Sequence, residues 1–500
     1  MTSPQDPLGG ASGRSLRVET HGLDVIEEAE RRGTPRTLFQ PWFGANVSVL
    51  GLGYGAFAYG FGISFRQALA AGVLGIVVSF LLCGFTAVAG KRGSAPTMVL
   101  SRAAYGVRGN RLPAVVSWML TVGWETVLTA LATMATATVL GRLGWGGGTR
   151  TEVAALVVVA ALTVVGGVMG FDLIMRIQTW ITVVTGVLTL GYIALVADHV
   201  HWSAVSAVPA GSAQHFIGAL VFMMTGFGLG WVNAAADYSR YLPRDSAGRA
   251  VIGWTTFGAS LAPLVLLVFG LLLAGSSPRL NAAIAADPVG ALTTILPAWF
   301  LVPFAVVAVL GLVGGAVLDI YSSGLALLSA GVRVPRHLAA LLDGLLMIAG
   351  AIYIVFFADD FLGQFTGFLT TLGVPIAAWA GVMLADLLLR RRDYDEGDLF
   401  RPHGRYGDVP LVPLFLTLAA TAVGWGLVTN TSAAWLTWQG YLLGPFGLGG
   451  RTGSWAYANL GVLAALALAF LGTLLLGRGR VRDQEALAPG PATGQEVPNP

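Results

Sequence analysis

Three side chains with chemical potential lie deep inside long apolar stretches of this sequence. Trp124 and Glu125 are neighbours in the middle of one stretch, and Asp319 lies in another. An ionisable side chain near the centre of a bilayer costs about 2.5–3.5 kcal/mol on insertion scales, so it usually faces a cavity or a partner. We therefore expect Glu125 and Asp319 to bind a proton or a ligand, beside the flat surface of Trp124. A purely structural role is the alternative for each of the three.

Two other stretches combine several glycines with polar or aromatic residues. One covers residues 41–55 and the other residues 225–233, and their chemically informative members are Asn46, Ser48, Phe227 and Trp231. Glycine inside a helix costs about 1 kcal/mol relative to alanine, so we expect interrupted helices in both places. Interrupted helices at corresponding positions of two halves are typical of transporter sites built from inverted repeats. Close packing through small residues is the alternative explanation.

The composition places the chain in a membrane. Hydrophobic residues make up 55% and charged residues 11%, whereas soluble proteins contain about 25% charged residues. The apolar residues form blocks of roughly 20, the length of a membrane-spanning helix. These features exclude a soluble enzyme, a nucleic-acid-binding protein and a secreted disulfide-bonded domain. The single cysteine, Cys83, lies in an apolar block and rules out an internal disulfide.

Motifs for other chemistries are missing from the sequence. We find no phosphate-binding glycine loop, no histidine–cysteine metal cluster and no nucleophile–base set, so we expect neither an enzyme nor an ATP-driven pump, and no cofactor or metal. Gradient-driven, secondary transport is the favoured interpretation. The expected partners are a small-molecule substrate and the lipid bilayer, with no nucleic acid and no obligate protein partner.

The hydropathy pattern predicts twelve transmembrane helices, and therefore an all-α membrane protein. Their predicted bounds are 40–63, 68–90, 113–141, 151–172, 175–197, 215–237, 249–275, 298–326, 337–358, 361–390, 409–430 and 455–477. We assign four segments: a cytoplasmic N-terminal tail (1–37), a ten-helix transport core (38–390), two additional helices (391–478) and a disordered cytoplasmic C-terminal tail (479–500).

The distribution of basic residues supports this topology. With twelve spans and a cytoplasmic N-terminus, 24 of the 29 basic residues lie on the cytoplasmic side and 5 on the other. Cytoplasmic loops are enriched in lysine and arginine, and adding or removing one central span would scramble the pattern. We therefore expect a multi-pass protein of the inner (plasma) membrane with both termini in the cytoplasm.

Several motifs resemble those of the nucleobase–cation symporters, specifically the purine–cytosine permease branch. The resemblance covers about residues 20–400, and the matching stretches are Trp42-Phe43-Gly44-Ala45-Asn46, Arg102-Ala103-Ala104-Tyr105-Gly106-Val107-Arg108-Gly109, Gly123-Trp124, Ala236-Asp237-Tyr238-Ser239-Arg240-Tyr241-Leu242-Pro243 and Tyr321-Ser322-Ser323-Gly324-Leu325. It implies a leucine-transporter-like fold, in which a five-plus-five inverted repeat is followed by two extra helices.

The resemblance also implies roles for the candidate residues. Trp124 would stack on a flat heterocycle, which is worth about 1–3 kcal/mol by analogy with bases on aromatic side chains. Either Phe227 or Trp231 would supply a second aromatic surface. Asn46 and Ser48 fall where the family has polar substrate contacts, and Asp319 falls where relatives often have asparagine.

Two departures from the family bear on selectivity and on coupling. Leu128 stands where relatives often have an amide, and Glu125 is the candidate to replace that contact. Sodium-coupled relatives have hydroxyl ligands at the positions of Val313, Gly314 and Gly315, next to carbonyls near Ala45. Since sodium requires oxygen ligands, their loss favours proton over sodium coupling, through Asp319 or Glu125.

The leading prediction is thus a permease that imports cytosine or a purine by cation symport and alternating access, with the proton as the favoured ion. A transporter of the same fold for allantoin, a hydantoin, uracil or a thiamine precursor is the first alternative. A non-transporting membrane sensor or a channel is an alternative from a different class.

Overall fold

A computed structural model describes residues 22–358, 361–431 and 433–487, and those residues form helices and loops without a strand. The principal helices are α1 (Phe39–Asn46), α2 (Leu50–Tyr59), α3 (Phe65–Gly93), α4 (Arg111–Arg142), α5 (Gly148–Met169), α6 (Phe171–Val196), α7 (Ala213–Gly226), α8 (Gly228–Trp231), α9 (Gly248–Ser276), α10 (Leu301–Ser329), α11 (Arg336–Phe357), α12 (Phe361–Leu389), α13 (Leu411–Gly426), α14 (Leu460–Leu476) and α15 (Arg478–Ala486). Shorter α-helices are Thr97–Leu100, Arg102–Tyr105, Trp202–Ala207, Pro278–Ala286 and Gly290–Thr293.

Each of the twelve predicted spans contains a helix. Within the described residues, nine helices are long and apolar enough to cross a membrane, or up to ten when α14 and α15, bent by 53°, count as one. The broken first span and the shorter α13 fall outside that count. The arrangement is therefore consistent with twelve spans.

Large apolar side chains are exposed around the outside of this helical core. Val157 on α5, Leu190 on α6 and Phe357 on α11 are each more than 60% exposed. Soluble monomers rarely expose so much contiguous apolar surface. The outer surface is thus suited to contact with the hydrocarbon core of a bilayer, as the composition predicts.

The first and sixth spans are both interrupted, which confirms the sequence-based expectation. α1 ends at Asn46 and α2 begins at Leu50. In the sixth span, Phe227 leaves the helical conformation with φ −123° and ψ −103°, between α7 and α8. Backbone groups freed at such breaks can bind a ligand where they line a cavity.

The glycines of α2 have a different role from the one expected, because the first break precedes them. Gly55 lies inside α2, where an added Cβ would be 2.2 Å from the carbonyl carbon of Gly270 on α9. At Gly228, next to the second break, an added Cβ would similarly lie 2.1 Å from the carbonyl carbon of Ser79 on α3. Close packing of helices, the alternative explanation, therefore accounts for the glycine at position 55 and is part of the reason for the glycine at position 228.

The helix contacts repeat with a period of five spans. α3 packs against α9, α4 against α10 and α5 against α11, which pairs each of spans two, three and four with the span five positions later. The contact of α1 with α6 has its counterpart in the contact of α7 with α12. When spans one to five are exchanged with spans six to ten, every contact in this set coincides with a contact of the same set. An inverted repeat requires this symmetry. α13 and α14 follow this core and pack on α12.

Both terminal segments contact the core where the structure describes them. Of the expected disordered tail (479–500), the first part is instead the helix α15, since Arg480 donates to the carbonyl of Tyr406 at 2.8 Å and Gln484 accepts from Arg390 at 2.8 Å. Residues 488–500 lie outside the described residues, as do residues 1–21 of the predicted N-terminal tail. Its remaining part is anchored by Ile26, which is fully buried and donates its N–H to Ser94 at 2.9 Å.

Candidate functional site

The indole of Trp124 lies at the junction of α4, the broken sixth span and α12. Its ring meets Phe365 edge-on at 5.4 Å and Phe368 at 6.1 Å between centroids. Its Nε1 is 2.8 Å from the position that a Cβ on Gly230 would occupy. This nitrogen is buried and has no hydrogen-bond partner among the described residues. Trp124 can therefore offer both a ring face and a free N–H donor to a ligand.

The two aromatic candidates of the sixth span point to different surroundings. The ring of Phe227 packs 4.4 Å from Tyr54 and 6.3 Å from Phe80, in the core between α2 and α3. The ring of Trp231 lies perpendicular to Trp42 of α1 at 5.9 Å. Trp231 also follows Gly230, which contacts the Trp124 indole. Trp231 is thus on the side of the break that faces α1, and Phe227 is not.

Asn46 and Ser48 hold the ends of the broken first span in this conformation. The Asn46 amide donates to the carbonyl of Trp42 at 2.8 Å, and the Ser48 hydroxyl accepts from the N–H of Leu50 at 3.3 Å. Such bonds satisfy backbone groups at a helix end. Both side chains are largely buried at the break, where a substrate contact would replace these local bonds.

Asp319 is the most isolated acidic side chain described for this core. It is 1% exposed, and both of its carboxyl oxygens are buried without a hydrogen-bond partner in the described part of the chain. A charged carboxylate without partners is unfavourable in an apolar interior. The position therefore favours either a neutral, protonated Asp319 or a ligand that donates N–H groups to it.

Glu125 lies on another face of α4 and joins a buried network that includes a residue the sequence analysis missed. Its Oε2 is 3.3 Å from the hydroxyl of Ser323, which lies 2.9 Å from Asp343 on α11. Trp118 donates its indole N–H to the other Asp343 oxygen at 2.7 Å. Asp343 lies inside the predicted span 337–358 and meets the same criterion that singled out Glu125, a carboxyl within an apolar stretch.

A second missed residue, Gln178 on α6, occupies the region where α1 meets α10. Its amide donates to the carbonyl of Gly314 at 2.7 Å, and its oxygen is 2.1 Å from where a Cβ on Gly44 would lie. The Ala45 carbonyl lies 3.2 Å from the corresponding position on Gly315. Here the family resemblance places sodium ligands, but α10 contributes no side-chain oxygen and the Gln178 amide inserts between the two helices. The side-chain oxygen of Gln178 is buried and has no hydrogen-bond partner among the described residues.

Two groups of aromatic side chains lie in the buried core. One, which we call the Phe365 cluster, has ring contacts within 6.5 Å and consists of Tyr54, Phe57, Phe222 and Phe365. The other, the Tyr241 cluster, consists of Phe171, Tyr238, Tyr241 and Tyr321, with the Phe171 and Tyr241 rings stacked at 4.0 Å. Trp124 and Asp319 are also buried, so a ligand can reach them only if neighbouring side chains move.

A cavity of about 420 Å³ borders the Phe365 cluster. Phe57 and Phe222 line both the cavity and the cluster, and the remaining wall includes His215, Thr370 and Asn430. Its volume is that of a small-molecule site. Displacement of the Phe365 cluster would connect this cavity with Trp124.

The comparisons with known proteins decide the family. The family model described as "Permease for cytosine/purines, uracil, thiamine, allantoin" matches residues 25–446. The chain belongs to this permease family. The resemblance to nucleobase–cation symporters is thereby confirmed, and the protein is a multi-pass membrane transporter and not an enzyme.

Individual relatives agree with the family model. The chain is 23% identical over 495 residues to the purine-cytosine permease FCY2 of Saccharomyces cerevisiae, covering 92% of this chain and 88% of the relative. It is 24% identical over 277 residues to the vitamin B6 transporter TPN1 of the same organism, covering 52% of this chain and 45% of the relative.

A solved structure shows the fold. The nucleobase-cation-symport-1 transporter Mhp1, in a closed conformation with bromovinylhydantoin bound, superimposes with a TM-score of 0.67 at 19% identity, covering 95% of this chain and all of that one. The predicted leucine-transporter-like architecture is confirmed, and its helix positions agree with a five-plus-five repeat plus two helices.

Proposed function

We propose that this permease imports a nucleobase, cytosine or a purine, by proton symport. The observation that carries the proposal is a closed helical core that contains both the Trp124 indole, whose N–H has no partner among the described residues, and Asp319, whose carboxyl oxygens have none. A nucleobase is flat and carries both N–H donors and ring acceptors. It could therefore stack on the face of the indole while its N–H donors bond to the carboxyl of Asp319.

We assign the second aromatic surface to Trp231. Phe227 is enclosed by Tyr54 and Phe80, so stacking a base on it would require these rings to move. Trp231 follows Gly230, the residue against the Trp124 indole. Asn46 and Ser48, at the break of the first span, would contact the polar edge of the base. Glu125 would lie next to Trp124 on α4, further from the base.

The position of Gln178 supports the proton as the coupling ion. Its amide donates a hydrogen bond to a carbonyl that would otherwise be free to bind a cation. This hydrogen bond occupies the Gly314 carbonyl, and Val313, Gly314 and Gly315 add no side-chain oxygen that could bind sodium. With sodium ligands missing, Asp319 and Glu125 are the groups that could carry a proton.

We further propose the plasma membrane as the location, with both termini in the cytoplasm. The excess of basic residues in the loops assigned to that side supports this orientation. A proton that enters the cell gains about 2.3 kcal/mol per 100 mV of membrane potential, which can drive accumulation of the base.

Uptake by cells that express the Trp124→Ala variant tests the proposed site. We expect radiolabelled cytosine or purine uptake to be lost, because removal of a stacking indole costs about 1–3 kcal/mol. Trp180→Ala is the matched control, since Trp180 is 73% exposed on α6. Full uptake by a correctly inserted Trp124→Ala protein would contradict the proposal.

A different flat heterocycle is the second candidate, and the partial match to a vitamin B6 transporter favours keeping it open. Allantoin, a hydantoin, uracil and a thiamine precursor belong in the same competition panel. Thermal-shift measurements with and without sodium would identify the ligand and test the coupling ion together. Accumulation against a gradient, abolished by a protonophore, would separate a symporter from a sensor or channel.

A further inference from the structure

The buried Glu125–Ser323–Asp343 network joins three membrane helices at one point. Glu125 and Asp343 are fully buried on α4 and α11, and Ser323 on α10 lies between them. The Ser323 hydroxyl is 3.3 Å from Glu125 Oε2 and 2.9 Å from Asp343 Oδ2. Two carboxyl groups thus share a single hydroxyl.

Counting hydrogens limits the charge that this network can hold. Ionised carboxylates only accept hydrogen bonds, and a serine hydroxyl has one hydrogen to donate. The Ile320 carbonyl, 3.2 Å from the same hydroxyl, competes for it. Both serine–carboxyl contacts can be hydrogen bonds only when one carboxyl is protonated and donates to Ser323.

The surroundings identify Glu125 as the protonated member. One Asp343 oxygen accepts from the Trp118 indole at 2.7 Å, and the other lies at Ser323, so a negative charge on Asp343 is stabilised twice. The second oxygen of Glu125 is buried and has no partner in the described residues. An isolated buried oxygen is far less costly on a neutral carboxylic acid than on a carboxylate.

Charges from neighbouring helices do not provide a counter-ion. Asp343 and Asp319 are the acidic groups close enough to Glu125 to repel a negative charge on it. No basic side chain forms an ion pair with Glu125 or Asp343 where the chain is described. Arg336, on the same helix as Asp343, donates instead to the Gly167 carbonyl at 3.0 Å. Other charged groups and one histidine lie towards the ends of the helices packed around the network: Arg111, Arg142, Arg150, Glu152, Asp172, Arg176, His337 and Asp386. The same helices also carry the titratable hydroxyls of Tyr192, Tyr321 and Tyr353.

We infer that Glu125, bridged by Ser323 to Asp343, is the binding site of the transported proton. This inference rests on the proposed function and selects Glu125 over Asp319 as the proton carrier. Loss of the proton leaves two negative charges at one hydroxyl, with Asp319 nearby. Their repulsion loosens the junction of α4, α10 and α11, and Trp124, the residue directly before Glu125 on α4, loses its position for stacking.

The first test measures equilibrium binding of cytosine to the purified full-length protein over a range of pH. For the wild type we expect affinity to fall by about tenfold per pH unit above the titration midpoint. Glu125→Gln, which is permanently neutral at this position, should lose this fall in affinity and exchange cytosine across liposomes without proton-driven accumulation. Asp198→Asn, at an exposed carboxyl, is the control for loss of charge.

Infrared spectroscopy provides a readout that needs no substrate. The wild type should show the carbonyl stretch of buried protonated carboxylic acids, and the part of that band that comes from Glu125 should be missing in Glu125→Gln and present in Asp319→Asn. Should Glu125→Gln not fold, Ser323→Ala tests the same bridge, because removal of the hydroxyl should shift the pH dependence of cytosine binding.

The outcomes separate this inference from the proposed function. Proton-driven accumulation by Glu125→Gln at the wild-type level, or loss of proton dependence in Asp319→Asn alone, would overturn the Glu125 site and leave the proposed symport intact. Unchanged pH dependence in Ser323→Ala would also overturn it. Absence of nucleobase transport in the wild type would refute the proposed function, even if the infrared band assigned to Glu125 were present.

Discussion

The carboxyl of Asp319 and the indole N–H of Trp124 form no hydrogen bond with a described residue. Each could instead form a hydrogen bond with a ligand. Both Asp319 oxygens and the Trp124 Nε1 are buried in this state. Interior polar groups are normally paired, and a group without a partner often marks a functional position. At the residue scale, we therefore expect substitution of Asp319 or Trp124 to change ligand binding most.

Asp319→Leu should weaken binding of the base without preventing insertion. Removal of a hydrogen-bonding carboxyl costs about 1.5–3 kcal/mol, or roughly a 10–100-fold loss of affinity. Asp319→Asn is the matched variant, since its amide can still accept and donate and should keep measurable binding. Calorimetric titration with cytosine checks both, and equal affinities for Asp319→Leu and the wild type would exclude Asp319 from the site.

The sequence identified single unusual residues better than the contacts between them. Glu125, Asp319 and Trp124 were recognisable because each interrupts an expected apolar pattern. Gln178 lies near the start of its predicted span, where a polar side chain is unremarkable, whereas Asp343 interrupts an apolar stretch as Glu125 does and was recognisable by the same criterion. Their importance comes from partners more than a hundred residues away, Trp118 for Asp343 and Gly314 for Gln178, and one sequence cannot reveal such pairs.

At the scale of helices, glycine density predicted interruption of two spans but not the positions of both breaks. The first span breaks at residues 47–49, and the glycine-rich α2 that follows remains helical. α2 tolerates its glycines because it packs tightly on α9, where backbone approaches backbone. Packing thus overrides the low intrinsic helix propensity of glycine.

Gly55→Ala should destabilise the contact of α2 with α9. The added methyl would lie 2.2 Å from a backbone carbon of Gly270, which cannot rotate away. Overpacking of this kind costs about 1–3 kcal/mol. Gly253→Ala on α9 is the control, because an added Cβ there meets nothing within 4 Å. Thermal unfolding in detergent should show a lower Tm for Gly55→Ala only; equal values for the two variants would contradict the packing argument.

Glu396→Gln should release the described part of the N-terminal segment. Glu396 accepts from Arg31 at 3.0 Å and also pairs with Arg244, and the Arg31 side chain is 2% exposed. Loss of a charged acceptor from a buried guanidinium costs about 1–3 kcal/mol. Hydrogen–deuterium exchange should increase in residues 22–38. The exposed Asp245→Asn variant should not change it, and protection that is equal in Glu396→Gln and the wild type would show that this ion pair does not anchor the segment.

For the whole molecule, the periodic contacts between spans explain why the fold was predictable. Hydropathy set the number and order of the helices, and charge set their proposed orientation. The inverted repeat itself has no residue-level identity between the halves and was inferred from span order alone. The paired contacts of α3 with α9, α4 with α10 and α5 with α11 agree with the repeat, and the likeness to the Mhp1 fold confirms the architecture.

Cysteine labelling can test the proposed orientation with little background. Cys83, the single cysteine, is fully buried and should not react with a membrane-impermeant maleimide. Arg451→Cys should be labelled in intact cells, because the loop before α14 is proposed to be outside. Arg392→Cys should be labelled only after permeabilisation. The reverse pattern would show that the orientation is inverted.

A structure of the full-length protein with cytosine bound tests the central claim most directly. We predict that the ring lies parallel to the Trp124 indole at a contact distance of about 3.5–4.0 Å. An N–H of the base should donate to Asp319, and Trp231 should be closer to it than Phe227. Cytosine bound elsewhere, for example only in the 420 Å³ cavity beside the Phe365 cluster, with no contact to Trp124 or Asp319, would contradict the account.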